Sequence, residues 1–125
     1  MAVRAIRGAI QIADNTKEEI KDGVIELVQA ILNKNELQSS DLISILFTAT
    51  PDLTSDFPAA SAREMGLGMV PLICAVEIDV PESLPRTIRA MVHCNTDLSQ
   101  EEISHIYLRG ATALRRDIAQ YVNCL

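Results

Sequence analysis

Apolar and polar residues alternate at the start of the chain, which is the pattern typical of a β-strand. The alternation predicts a strand over Val3–Ile12, with Ile6, Ile10 and Ile12 on one face. Arg7 falls on the other face and is therefore predicted to project from a mostly apolar strand.

The next segment changes to helical spacing. Thr16 and Glu19 match the S/T-x-x-E capping box that begins many helices. Apolar residues then recur every three or four positions as far as Leu32, with charged residues on the other faces. We predict one long amphipathic helix that ends near Asn35, with its lysines exposed to solvent.

Three further strands and a short helix are predicted after it. Strands are expected over Leu42–Ala49, Val70–Val80 and Leu84–Cys94, and the last two are joined by Pro81-Glu82-Ser83, a connection short enough for a hairpin. Pro58 is suited to the first turn of a short helix, Ala59–Met65. Near the C-terminus, Ser99 and Glu102 form a second capping-box pattern, whereas His105–Leu108 fits a helix or a strand.

These elements predict an α+β fold: a mixed β-sheet in the order βαβαββ, with two helices on one face. A length of 125 residues is in the range of one domain, taken here as residues 1–125. Such a sheet leaves its second face uncovered. Because 48% of the residues are hydrophobic, we expect self-association to cover that face.

Charge and composition limit the classes of partner and cofactor that the protein is expected to bind. A formal net charge of −6 disfavours nucleic acid and anionic membranes, since both attract basic surfaces. No apolar run approaches a membrane span, and the N-terminus lacks a signal-peptide core, so a cytoplasmic protein is expected. Cys74, Cys94 and Cys124 are odd in number and lack CxxC spacing, which fits reduced thiols. No metal-ligand spacing, phosphate loop or catalytic triad is present, and no cofactor is expected.

The arginines indicate a different partner. Arg7 and Arg89 lie in the middle of predicted apolar strands, where an unpaired guanidinium would be costly. Glu77 is equally out of place in its own apolar strand. Two explanations remain open: the arginines pair with Glu77 or Asp79, or they bind an anionic ligand through the planar guanidinium fork.

Strand parity adds a geometric expectation. Cys74 and Glu77 have opposite parity and should point to opposite faces of the sheet. If both are functional they serve two different pockets, as happens when pockets lie between subunits. For Arg63, near the short helix, a surface salt bridge is the favoured interpretation.

Several motifs in register resemble the small, β-rich, monofunctional class of chorismate mutases. The resemblance runs over nearly the whole chain and rests on Arg4-Ala5-Ile6-Arg7-Gly8-Ala9, Thr48-Ala49-Thr50-Pro51-Asp52-Leu53, Phe57-Pro58-Ala59, Ala62-Arg63-Glu64, Glu77-Ile78-Asp79-Val80, Ile88-Arg89, His105-Ile106-Tyr107-Leu108 and Ala113-Leu114-Arg115. It implies a homotrimer with a barrel-like core and active sites between subunits. It also implies that His105–Leu108 is a short strand between two helical turns.

The resemblance assigns site residues to two neighbouring subunits. One contributes Phe57, Ala59, Arg63, Ile73 and Cys74, and the other contributes Arg7, Glu77, Arg89, Tyr107 and Leu114. Arg115 would close over the pocket. Ala60 departs from relatives in which a basic residue can stand at this position, so the entrance is expected to be less positive here.

The activity implied is the conversion of chorismate to prephenate in aromatic amino acid biosynthesis, without a covalent intermediate. Arg89 would stabilise charge on the ether oxygen, Arg7 and Tyr107 would hold a carboxylate, and Glu77 and Cys74 would contact the ring hydroxyl. Two alternatives are a trimeric imine or enamine deaminase of related fold and a non-catalytic carboxylate-binding module.

Overall fold

The computed structural model describes residues 1–114 as a five-stranded sheet with helices on one face. The strands are β1 (Ala2–Gln11), β2 (Leu42–Ala49), β3 (Leu72–Val76), β4 (Thr87–Thr96) and β5 (Ile106–Leu108). The helices are α1 (Lys17–Lys34) and α2 (Pro58–Ala62), which continues into a wider helical turn, Arg63–Leu67. Shorter helical turns cover Ser39–Asp41, Gln100–Glu102 and Arg109–Leu114. The β5 strand and its flanking turns confirm the resemblance-based expectation for this region.

The strand order is β3-β2-β4-β1-β5. β4 pairs antiparallel with both β1 and β2, while β3 and β5 pair in parallel with β2 and β1. The predicted α+β fold with a mixed sheet is therefore confirmed.

The predicted hairpin between the third and fourth strands is wrong, because β2 lies between them. The N–H of Glu77 bonds to the carbonyl of Ala49 at 2.9 Å, so the chain continues beside β2 after β3 ends. The irregular segment 77–86 then leads to the start of β4, with Glu82 and Arg86 at positive φ.

Helix α1 begins where the sequence predicts. Thr16 Oγ1 accepts the N–H of Glu19 at 3.1 Å. The Glu19 carboxylate accepts instead from the N–H of Ala13, 3.4 Å away, so only half of the capping box forms. At the other end, buried Asn35 bonds to Ile31 and Ser104 and ties the helix to the segment before β5.

The second capping box is complete. Ser99 Oγ accepts the N–H of Glu102 at 3.3 Å, and the Glu102 carboxylate accepts the N–H of Ser99 at 2.9 Å. Hydrogen bonds that the Glu102 carboxylate accepts from Ser99, first from its backbone N–H and second from its hydroxyl, lower the pKa of that carboxyl group.

Helices cover one face of the sheet and leave the other face exposed. The helix-covered face carries the main core, including Ile6, Ile10, Ile45, Phe47, Ile88 and Val92, all at most 1% exposed. A Cβ on Gly8 would lie 2.8 Å from Ile31 Cδ1 of α1, so the helix packs directly on β1. On the opposite face Val3, Leu46 and Ile73 are 58%, 41% and 65% exposed. We call this second face the open face.

Within residues 1–114, no helix is long and apolar enough to span a membrane. The same part of the chain holds no cluster of three or more His, Cys, Asp or Glu suited to a metal ion.

Candidate active site

Strand pairing sets a row of side chains across the open face. Thr48 of β2 lies opposite Arg89 of β4, Arg89 lies opposite Ala9 of β1, and Ala9 lies beside Tyr107 of β5. Side chains two residues apart share a face, so Arg7 joins this row next to Ala9. A cavity of about 220 Å³ opens here, lined by Arg7, Gly8, Leu46, Thr48, Glu77, Arg89, Ala90, Met91 and Tyr107.

Glu77 carries the negative charge of this cavity. Its Oε1 lies 3.1 Å from Arg89 Nε and accepts a 2.7 Å hydrogen bond from Thr48 Oγ1. The Nε–H of Arg89 is not aimed at that oxygen, and this buried donor has no hydrogen-bond acceptor among residues 1–114. The contact between Arg89 and Glu77 is therefore an ion pair without a hydrogen bond.

The structure combines the two explanations that the sequence left open. Arg89 does pair with Glu77, and the pair also lines a cavity. The Arg89 side chain is still 43% exposed, so it can meet a ligand as well as its partner.

Arg7 differs from Arg89 in having no carboxylate partner within the described part of the chain. Its backbone N–H donates a 3.0 Å hydrogen bond to His105 Nδ1. The parallel ladder between β1 and β5 starts at Gly8 and Ile106, so His105 supplies the acceptor one residue before the ladder. The strand bearing Tyr107 is thereby held in register with Arg7.

A second group of expected site residues gathers on the other side of β3. Cys74 lies opposite Phe47, a helix-covered residue, and its Sγ accepts the N–H of Ala59 at 3.3 Å. Phe57 is 68% exposed beside it. A cavity of about 600 Å³ is lined by Phe57, Cys74, Val76, Lys17 and the loop at 49–56. The predicted separation of Cys74 and Glu77 onto opposite faces is thus present.

Three other expected site residues lie outside both cavities. Ile73 lies on the open face at the sheet edge, opposite Leu46. Leu114 is half-buried at the end of the last described turn and packs against the core. Arg63 is exposed, and its expected salt bridge is absent within residues 1–114; the neighbouring Glu64 pairs with Lys21 at 3.2 Å. Arg115 lies outside the described residues.

Five lining residues of the first cavity were not predicted from the sequence: Gly8, Leu46, Thr48, Ala90 and Met91. Leu46 and Met91 looked like ordinary strand residues. Threonine is also common in strands, so Thr48 carried no signal beyond its place in a shared motif.

Known proteins resemble the chain over most of its length. The family model for chorismate mutase type I matches residues 3–118. Chorismate mutase AroH of Thermus thermophilus is 47% identical over 117 residues, which cover 93% of this chain and 96% of that protein. Chorismate mutase AroH of Bacillus subtilis (strain 168) is 38% identical over 120 residues, covering 95% of this chain and 94% of that protein.

A solved structure agrees with both sequence matches. The chorismate mutase from Clostridium thermocellum Cth-682 superposes with a TM-score of 0.86 and 47% identity, covering 88% of this chain and 98% of that one. These matches favour the mutase over the deaminase of related fold. The chain belongs to the chorismate mutase type I family.

Proposed function

We propose that this enzyme converts chorismate to prephenate in clefts that form between the subunits of a homotrimer. The observation that carries the proposal is the partly exposed Arg89–Glu77 ion pair in a cavity that also holds Arg7 and Tyr107. Family membership supplies the substrate, and the geometry supplies groups suited to it.

The reaction is an intramolecular [3,3] rearrangement. The ether C–O bond breaks as a new C–C bond forms, electrons shift within one ring of atoms, and no group is transferred to the protein. Negative charge develops on the ether oxygen in the transition state. A fixed cation at that oxygen lowers the barrier because it binds the transition state more strongly than the substrate.

Arg89 is the cation we assign to this role. Its side chain is 43% exposed and lines the cavity, so a ligand oxygen would meet the terminal N–H groups of the guanidinium while Glu77 lies against the buried Nε. Charge-assisted hydrogen bonds from a guanidinium are stronger than neutral ones, which favours an acceptor that carries negative charge.

The remaining cavity residues suit the rest of the substrate. Arg7 has no carboxylate partner within the described chain and, with Tyr107, would hold a substrate carboxylate. Glu77 would accept a hydrogen bond from the ring hydroxyl. Holding the flexible side arm over the ring adds an orientation term to catalysis.

The second half of each cleft would come from a neighbouring subunit. Phe57, Ala59 and Cys74 lie on the far side of β3, so a ligand at Arg89 cannot reach them within the same subunit. Packing the apolar open faces of three copies into a central barrel would bury the side chains of Val3 and Leu46. It would also bring the Phe57 and Cys74 side of one subunit beside the Arg89 cavity of its neighbour.

The expected roles of the remaining residues belong to the same proposal. Arg63, Ile73, Leu114 and Arg115 would complete the cleft, with Ala60 leaving its entrance less positive. A cytoplasmic enzyme of phenylalanine and tyrosine biosynthesis is the setting that this activity implies.

The test is direct turnover. Purified protein is mixed with chorismate, and chorismate loss is followed together with prephenate formation; we expect one prephenate for each chorismate consumed. The Arg89→Gln variant should fold and trimerise yet lose about 10² to 10³ in rate. The control is Lys21→Gln, which removes an exposed pair with Glu64 and should leave turnover unchanged.

Two outcomes would contradict the proposal. A correctly folded wild-type trimer that does not consume chorismate would leave the binding-module alternative. Normal turnover by Arg89→Gln would remove Arg89 from the mechanism.

A further inference from the structure

The two oxygens of Glu77 have different surroundings. Oε1 receives both the Thr48 hydroxyl at 2.7 Å and the Arg89 Nε contact at 3.1 Å. Among residues 1–114, no hydrogen bond to Oε2 is found. A carboxylate has about four lone-pair positions, so Oε2 is available to a ligand in the cavity.

We propose that Thr48 is a positioning residue for the mutase reaction, which acts by fixing the orientation of the Glu77 carboxylate. This inference rests on the proposed function, since it takes Glu77 as the acceptor for the substrate hydroxyl. Thr48 would hold Oε1 against β2 and leave Oε2 facing the substrate.

Thr48 is well placed for this task. It lies between Ala75 of β3 and Arg89 of β4 on the open face, while Glu77 follows directly after β3. Because Thr is branched at Cβ, its side-chain rotamer is restricted. The 2.7 Å distance is short, as expected for a hydroxyl that donates to a charged carboxylate.

The same hydrogen bond affects Arg89. An unrestrained carboxylate beside an arginine can form a bidentate pair with two parallel hydrogen bonds. Such a pair would occupy the guanidinium donors that the transition state needs. By holding Oε1 in a contact that is not a hydrogen bond to Nε, Thr48 keeps the Arg89 donors free for the substrate.

The first test compares three variants of the trimer. Thr48→Val keeps the shape and β-branching but removes the hydroxyl, and we expect kcat/KM to fall about tenfold to a hundredfold, the range for a hydrogen bond to a charged group. Thr48→Ala should fall similarly and serves as a second variant if valine impairs folding. Thr48→Ser retains the hydroxyl and should stay within about threefold of wild type.

Thr96→Val is the matched control. It removes a hydroxyl from the same sheet, one that accepts the Leu98 N–H at 3.2 Å, at the end of β4 away from the cavity. It should leave kcat/KM unchanged even where thermal stability falls.

A double-mutant cycle separates positioning from a merely structural role. If Thr48 acts through Glu77, adding Thr48→Val to Glu77→Gln should cause little further loss of kcat/KM. If the loss of kcat/KM in the double variant equals the product of the two single-variant losses, the two residues act independently and the inference is overturned.

The wild-type measurement separates the two levels of the proposal. No turnover by the wild-type trimer would mean that the proposed function fails, and the inference with it. Wild-type turnover together with a fully active Thr48→Val variant would mean that only the role of Thr48 fails.

Discussion

Cys74 and Glu77 lie three residues apart in the chain but on opposite faces of the sheet. Cys74 Sγ accepts the Ala59 N–H on one side, whereas Glu77 meets Arg89 on the other. A small molecule bound at Glu77 cannot touch Cys74 of the same subunit, because the sheet separates them. A reaction that uses both residues needs two copies of the chain.

This geometry predicts complementation between two inactive variants. Arg89→Gln damages the open-face half of the proposed site, and Arg63→Glu reverses the charge of a residue proposed for the other half, so each homotrimer should be nearly inactive. After equal amounts of both variants are unfolded and refolded together, each of the two halves of a cleft is intact with a probability of about one half, independently of the other. About a quarter of the clefts should then be intact, which steady-state turnover would reveal.

The controls fix the interpretation of that experiment. The same two variants mixed without subunit exchange should stay inactive. Arg89→Gln and Glu77→Gln damage the same half and should not complement. Failure to recover activity after exchange has been verified by mass spectrometry would show that the site lies within one subunit.

The opposite parity of Cys74 and Glu77 could be predicted from sequence because side-chain alternation is a local property of the chain. The strand order could not, since β2 enters between β3 and β4 through long-range pairing that the short Pro81–Ser83 connection does not reveal. For Arg89, pattern alone allowed an ion pair or a ligand, and the fold accommodates both. Thr48 was missed because its importance depends on which carboxylate stands next to it.

The hydrogen bond between Arg7 and His105 predicts a graded set of substitutions. His105→Ala removes the acceptor for the Arg7 N–H and should lower kcat/KM several-fold, the effect of about 1 kcal/mol. Because Arg7 is expected to hold a carboxylate in both substrate and transition state, most of the loss should appear as a higher KM.

Two conservative variants check the atom involved. Asparagine places Oδ1 near the position of Nδ1, so His105→Asn should recover most of the loss. Glutamine places its amide farther out, near Nε2, and His105→Gln should not. Equal kinetics for all three variants would show that the bond to Arg7 does not affect the site.

The two cysteines of the described chain should differ in reactivity. Cys94 is fully buried, and burial, with a smaller effect of nearby Asp41, raises the pKa of its thiol. Cys74 is only half-buried. In a Cys124→Ser background, a maleimide should label Cys74 first, and prephenate should slow that labelling; mass spectrometry of peptides distinguishes the sites. Early labelling of Cys94 in the native protein would contradict the packing described here.

The raised pKa of Cys94 also predicts a direction of stability with pH. The pKa of this thiol in the folded protein lies above 9.0, its value in the unfolded chain. The protonated thiol therefore contributes fully to the free energy of unfolding below pH 9, and this contribution is lost as pH rises through the folded pKa. The free energy of unfolding, measured with denaturant, should therefore fall less steeply above pH 9 in Cys94→Ala than in wild type. Identical slopes in the two proteins would show that Cys94 titrates alike in both states.

The contact between α1 and the end of β1 leads to a prediction in which two effects compete. Gly23→Ala should improve helix propensity by about 1 kcal/mol. The new Cβ, however, would lie 2.6 Å from Ile12 Cγ2. Ile12 is 1% exposed, and Cγ2 is attached directly to a branched Cβ, so it cannot swing away. Overpacking of this kind costs about 1–3 kcal/mol, so the clash should win and the melting temperature should fall.

Two comparisons isolate that clash from any general effect of replacing glycine. Gly68→Ala adds a Cβ with nothing within 4 Å, at a φ of −63° that alanine adopts readily, and should be neutral or slightly stabilising. In an Ile12→Ala background the obstructing methyl is gone, so Gly23→Ala should raise the melting temperature relative to Ile12→Ala alone. A Gly23→Ala variant that melts higher than wild type would mean that α1 lies farther from β1 than the structure shows, because only extra space would let the propensity gain dominate.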